Sequence, residues 1–513
     1  RLLKICLTQQ KKLIPILNKI LNYLDNKKIY TFLLIISSFT FTYYSGVRGI
    51  FPIDSFLIFN GGYKILNNLH PFKDYWSITG PLLDYLQAII FRFFNVNWIS
   101  YICHAALFNA IITLSAFYFF IFLKLKNIYS FVYAFSISIL AYPSVGTPFM
   151  DHHATILSVI SLILLIMALK KDKNLYWFLI PVVLGLSFLS KQIPSAYFVI
   201  LFSIVTLIFL FIEKFKNLTN LIYIFYGLFS FLLFFMIWLL FTDVSFKNFL
   251  LQYFFYPLSI GEMRGKLLNF DLANIFFQFK FIYISLIPIL FSGYYLILKN
   301  KKTKKNNIDI LILFTLFTSI IIFIYSQLLT KNQILIFFLI PFYLAMGHYF
   351  SNNYIKKHNI IFLIMFILII STLKFHLRFN VEKKFMEMSN VDFKLAIDGS
   401  NLDQSFRGLK WITPLYPDNP VLEIGLLKDT QNKIIKEENN NFIMTDYLIL
   451  PFLTDSKKFA PNKWFDDQSV PDKKSLYFKQ YKDFFLRRIK EENITVIFIV
   501  GNSKENFLKN IFS

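Results

Sequence analysis

The chain has 513 residues, 56% of them hydrophobic and 19% aromatic, with 53 Lys and Arg against 30 Asp and Glu. That apolar content, at a mean hydropathy of +0.54, excludes a soluble globular protein. The net charge of +23 does not indicate nucleic acid, because in the apolar part of the chain it gathers in short gaps between apolar runs.

Runs of about 20 apolar residues have the length of a membrane-crossing helix, and only helices or closed barrels satisfy their backbone in lipid. The fold class is therefore a polytopic α-helical membrane protein. The first 28 residues are basic and mildly amphipathic. No small-residue cleavage site separates them from the run that follows, so that run reads as a span rather than a signal peptide. Eleven spans are expected, at 30–47, 98–123, 128–142, 154–169, 175–190, 194–212, 219–241, 281–298, 308–329, 334–350 and 359–375. On this count the basic N-terminal segment and the Lys-rich gaps 124–127, 170–174, 213–217, 299–307 and 351–359 fall on one side. The positive-inside rule makes that side cytoplasmic.

The outer face then holds loops 48–97, 143–153 and 242–280, the turn at Lys191, the short 330–333 turn and a tail from 376 to 513. The organisation is a membrane domain, 1–375, followed by a small extracytoplasmic C-terminal α/β domain, 376–513. The tail is nearly charge-balanced, with 21 basic and 19 acidic residues. FIMTDYLIL and ITVIFIV read as strands and 477–492 as a helix. In the first outer loop, 54–67 and 81–94 read as short helices suited to lying along the interface, broken apart at Gly61-Gly62 and Thr79-Gly80-Pro81. Cys6 and Cys103 sit in the N-terminal segment and in a span, which offers no disulfide framework.

Before residue 376 there are eleven carboxylates, and seven of them, Asp54, Asp74, Asp84, Asp151, Asp243, Glu262 and Asp271, lie in the outer loops. Carboxylates contribute little to topology, so orientation does not account for that bias. Asp54 follows the first span at the start of a helix. A partly desolvated carboxylate there has a raised pKa and suits a general base, and the same position also suits a helix N-cap. Asp74, in HPFKDYWSITGP, either shares that site or pairs with its neighbours His70 and Lys73. Tyr75 and Trp76 beside it are candidate cavity-lining residues, with Asp151 and His152. Asp84 reads as structural.

Asp151-His152-His153 combines metal-ligand side-chain types but also reads as a plain helix start, so a divalent metal ion is left open and no other cofactor is indicated. Lys191, between two apolar spans, is costly unless it meets an anion or snorkels to headgroups. A phosphate is a natural partner. Arg264 and Lys331 are further candidates for the same task. The chain has no nucleotide-type Gly-rich loop, HExxH or GxSxG motif. A transferase of this kind would then draw on a lipid-linked donor rather than a nucleotide sugar.

The first span, the Asp just beyond it, the segment HPFKDYWSITGPLLDYLQAIIFRFF and the later Lys-Gln turn resemble the GT-C superfamily of membrane glycosyltransferases. The likeness is to the dolichyl-phosphate-mannose protein mannosyltransferase and aminoarabinose transferase group, the family 39 type. Pro71-Phe72-Lys73-Asp74 and Gly80-Pro81-Leu82 carry it, over the first 200 or so residues. Where that group often has Asp-Glu in the first loop, this chain has Asp54-Ser55. The resemblance implies that Asp54 is a catalytic base. It would deprotonate an acceptor hydroxyl that displaces polyprenyl phosphate from a sugar with inversion, and Lys191 would meet the donor phosphate. The implied partners are a polyprenyl-phosphate-linked sugar, a lipid, glycan or protein acceptor, and membrane lipids, in a cell inner membrane. A transporter or flippase of lipid-linked saccharides, a surface-polysaccharide polymerase or ligase, and a membrane scaffold are the competing readings.

Overall fold

A computed structural model describes residues 26–142, 146–266, 273–298, 303–330, 336–384, 388–456, 460–466, 469–501 and 505–512. Lys331 lies outside them. The chain is mostly helical. Among the described residues seven helices are long and apolar enough to cross a membrane: Trp98–Phe122, Met150–Lys171, Ser195–Ile212, Thr219–Thr242, Ile275–Leu298, Lys304–Thr330 and His358–Val381. The protein is thus a multi-pass membrane protein. The other four expected spans fall on Lys27–Gly46, Asn127–Leu140, Asn174–Ser190 and Leu339–Tyr354, and the last three of these are only 14, 17 and 16 residues long.

The two ends of the bundle differ. At one end the Lys-rich gaps meet: Lys170 reaches Asp309 at 2.7 Å and Lys304 reaches Glu213 at 2.6 Å. Asp172 there accepts from the Trp177 indole at 3.1 Å and from Asn220 at 2.7 Å. The other end carries the first loop and the tail. The first loop contains α1 (Leu57–Leu66) and α2 (Leu82–Phe94), close to the expected 54–67 and 81–94.

The tail holds two small sheets. β1 (Ile397–Asp398) pairs antiparallel with β2 (Lys410–Trp411). β3 (Asn441–Thr445) pairs in parallel with β4 (Val496–Val500); β4 lies within the expected ITVIFIV, and β3 takes up the first four residues of FIMTDYLIL and the residue before it. A helix, α3 (Phe478–Glu491), matches the expected 477–492.

The tail packs directly on the first loop. Residues 47–50 run beside β2, with Gly49 and Ile50 donating to the carbonyls of Lys410 and Ile412 at 3.0 and 3.1 Å. Behind this seam lies a common core. Phe56 meets Phe406 edge-on at 5.9 Å, and Phe59 meets Phe452 edge-on at 5.4 Å. Trp98, Tyr101, Trp411 and Ile449 are buried in the same cluster. Burying one large apolar side chain contributes roughly 1.5–3 kcal/mol, so the shared core contributes to the stability of both loop and tail.

α1 therefore does not lie along the membrane interface as its aromatic face suggested. Its residues Leu57–Lys64 are buried, because the tail supplies the apolar surface that lipid was expected to supply. α2 does present Ile89, Phe93 and Phe94 outward. Two glycines permit the close packing. A side chain at Gly61 would collide with the Asp84 carboxylate, and one at Gly80 with the Leu189 carbonyl. The second contact seats the first loop against the helix end that precedes Lys191.

Candidate active site

Asp54 sits in the turn 52–56 before α1. The backbone of that turn is closed by its neighbour: Ser55 accepts from the Phe51 N–H at 2.9 Å. α1 begins without a side-chain cap, so the N-cap reading of Asp54 does not apply. Among the described residues its carboxylate has no hydrogen-bond or ion-pair partner. Burial raises its pKa from 3.8 to about 6; the charges of Asp151 and Asp466 raise it further, and that of Lys191 draws it down.

Those neighbours come from three places in the chain, and Arg264 stands near two of them, Asp151 and Asp466. Asp151 is in the first turn of Met150–Lys171, where the helix dipole favours an anion. Lys191 ends the helix Asn174–Ser190 and grips Asp151 with distances of 2.6 and 2.7 Å to its two oxygens. The two side chains are 18% and 4% exposed. Lys191 thus answers its cost at the membrane edge with a carboxylate. The next residue, Gln192, ties the outer segments together by donating to the carbonyls of Ile78 and Tyr253 at 3.1 and 2.7 Å.

Arg264 belongs to a helix, Tyr256–Lys266. It donates through Nη1 to the Leu329 carbonyl at 3.1 Å, while its buried Nε has no partner. Burial lowers its pKa, and Asp151 and Asp466 act against that. Asp466 is a tail residue that sequence reasoning missed. It is exposed, and the Trp464 indole at 2.9 Å and the Ser469 N–H at 2.5 Å hold it. Nothing in its local sequence signals this role, since only the folded tail brings it to Asp54.

The other candidates lie elsewhere. Asp74 accepts from the His70 N–H at 2.7 Å and faces Arg488 of α3 at 3.5 Å. It is a docking contact for the tail. Trp76 is buried between Tyr481 and Phe484, with centroids at 5.0 and 5.8 Å. Tyr75 is buried under the Lys64 ammonium, 4.3 Å from the ring centre. Both are interface residues rather than the lining of the Asp54 site. Asp84 forms a buried ion pair with Lys463 of the tail, at 2.9 and 2.7 Å, a structural role. His152 stacks on Tyr142 at 4.5 Å, fully buried, with both ring nitrogens unpartnered. Among the described residues no three His, Cys, Asp or Glu side chains are grouped as a metal ion would need, so the divalent ion left open above has no assigned ligands.

The arrangement sets a free carboxylate of raised basicity beside a neutralised Lys–Asp pair and a guanidinium with hydrogen-bonding capacity to spare. That combination suits proton abstraction next to a developing anion. Compared with known proteins, the chain matches no protein-family model and no curated sequence.

Proposed function

We propose that this protein is an integral membrane glycosyltransferase. It moves a sugar from a polyprenyl-phosphate donor to an acceptor hydroxyl at the tail-bearing face, which the positive-inside rule makes extracytoplasmic. The observation that carries the reading is the unpartnered carboxylate of Asp54, held near neutrality by burial and by Asp151.

In this mechanism Asp54 takes the proton of an acceptor hydroxyl on a lipid, glycan or protein. The freed oxygen pair attacks the anomeric carbon while the bond from that carbon to the phosphate oxygen breaks. The pair from that bond leaves on polyprenyl phosphate, and a single displacement inverts the centre. Arg264 and Lys191 oppose the charge that develops on the leaving phosphate. At neutral pH Asp54 then releases its proton to water. Transporters usually show polar or charged residues, or Gly or Pro breaks, in mid-span. In the seven long spans the charged residues lie towards the ends instead.

The test is the purified protein with a polyprenyl-phosphate sugar, reading release of polyprenyl phosphate. Arg264→Gln is expected to raise the donor KM by about tenfold, one charge-assisted hydrogen bond at roughly 1.5 kcal/mol. No release by wild type with any such donor would sink the reading.

Asp74→Asn separates docking from chemistry. It should leave turnover within about twofold and lower stability by about 1 kcal/mol, since Asn keeps the backbone contact and loses only the charge pair. A collapse of turnover in a folded Asp74→Asn protein would return Asp74 to the reacting centre.

A further inference from the structure

Away from Asp54, three cations crowd together at the tail-side ends of two spans. Lys280 lies near the start of Ile275–Leu298, and Lys374 and Arg378 near the end of His358–Val381. The like charges of Lys280 and Arg378 both act on Lys374. Among the described residues none of the three has a carboxylate partner, whereas the half-buried Lys170 and Lys191 and the buried Lys463 each have one.

Their floor is aromatic and rigid. The Lys374 ammonium rides over Phe281 at 4.7 Å and over Phe375 at 5.9 Å. The Arg378 guanidinium rides over Phe379 at 5.5 Å. Beneath them Phe337, Phe375 and Phe379 stack, with Phe337 and Phe375 only 3.9 Å apart. The heads of Lys374 and Arg378 thus lie over these rings. Lys280 stands on the sixth residue of its span and Lys374 seven residues before the end of its own, where long cations snorkel toward the headgroup layer. The flanks are apolar and open: Leu373, Leu377, Phe276 and Phe277 are all more than half exposed.

We infer that Lys280, Lys374 and Arg378 form a binding site for the phosphate headgroup of an anionic membrane lipid. The headgroup phosphate sits among the three cations and relieves their repulsion, and its acyl chains lie along Leu373 and Phe277. A free phosphate would meet the charge and leave the apolar flanks unused, which is why the lipid is the better occupant.

The test places the full-length protein in nanodiscs of phosphatidylcholine with and without phosphatidylglycerol, and reads co-retained lipid by native mass spectrometry and thermal unfolding. Wild type is expected to enrich phosphatidylglycerol and to unfold at higher temperature with it. The variant K280Q/K374Q/R378Q should lose that preference by about 100-fold, near fivefold per cation. K280R/K374R/R378K should keep it. Should the triple Gln variant fail to fold, Lys374→Gln alone is expected to lose about fivefold. Equal enrichment in wild type and the Gln variants would overturn the proposal. So would stabilisation of the phosphatidylcholine form by inorganic phosphate to the same degree, which would assign the cations to a soluble anion.

Discussion

Asp54→Asn is expected to slow sugar transfer by roughly 10²–10⁴-fold, the usual worth of a positioned general base, and to leave the protein at least as stable as wild type at about pH 8. The two halves have one cause. The folded environment lifts the carboxyl from 3.8 to about 6, so the native state binds the proton more tightly than the unfolded chain does. Stability therefore falls as pH rises from 3.8 to 6, and above 6 the ionised group weighs fully against folding. Asn carries no charge and removes that cost. The wild-type rate should climb about tenfold per pH unit below 6 and level off above it, because the reactive form is the deprotonated one. Initial rates between about pH 5 and 8, with unfolding temperatures of both proteins, check this. A flat profile, or an Asn variant that turns over normally, is incompatible with Asp54 as the base.

The largest loss of stability is expected at Asp84, and it should be asymmetric with its partner. Asp84 and Lys463 are 0% and 1% exposed, and Lys463 also donates to the Thr79 hydroxyl at 3.1 Å. A second buried lysine stands close by. Lys64 donates to the Asn462 carbonyl at 3.2 Å. Burial and the Lys463 charge push its pKa down to about 7, and Asp84 draws it back up. One carboxylate thus serves two ammonium groups. Asp84→Asn strips the counter-charge from both and should cost about 3–5 kcal/mol, the range for orphaning a buried charge. Lys463→Met leaves Asp84 with Lys64, which regains its proton once the like charge is gone, so the cost should fall to roughly half. Chemical unfolding in detergent followed by tail proteolysis distinguishes the two. Equal losses would mean that Lys64 plays no part in the balance.

Much of the membrane architecture was legible because lipid imposes a length and a composition that short-range sequence displays. Asp54 was legible for a similar reason: it stands alone after a span and before a helix. Asp74 and Asp84 were harder. Their local neighbours, Lys73 and His70, were in plain view, but their ion-pair partners, Arg488 and Lys463, stand some 380–415 residues further on. The tail itself read as a separate domain because its charge balance and strands look self-sufficient. Its core is in fact completed by Phe56, Phe59, Trp98 and Tyr101, and no periodicity within residues 376–513 reports a missing half. Asp466 was invisible for the same reason. Lys191 was read as needing an anion, and the carboxylate of Asp151 supplies one.

The seam between residues 47–50 and β2 also dictates an order of events at the ribosome. The segment that carries Asp54 is made some 360 residues before the strand it must lie against. At about 5–20 residues per second, that is a wait of roughly 20–70 seconds. Until then the loop waits at the membrane surface with Phe56 and Phe59 uncovered. A product that carries the helices through Phe375 but ends before Lys410 would have its helices and lack this seam. Completion of the polypeptide, and not its insertion, is the step that assembles the surroundings of Asp54.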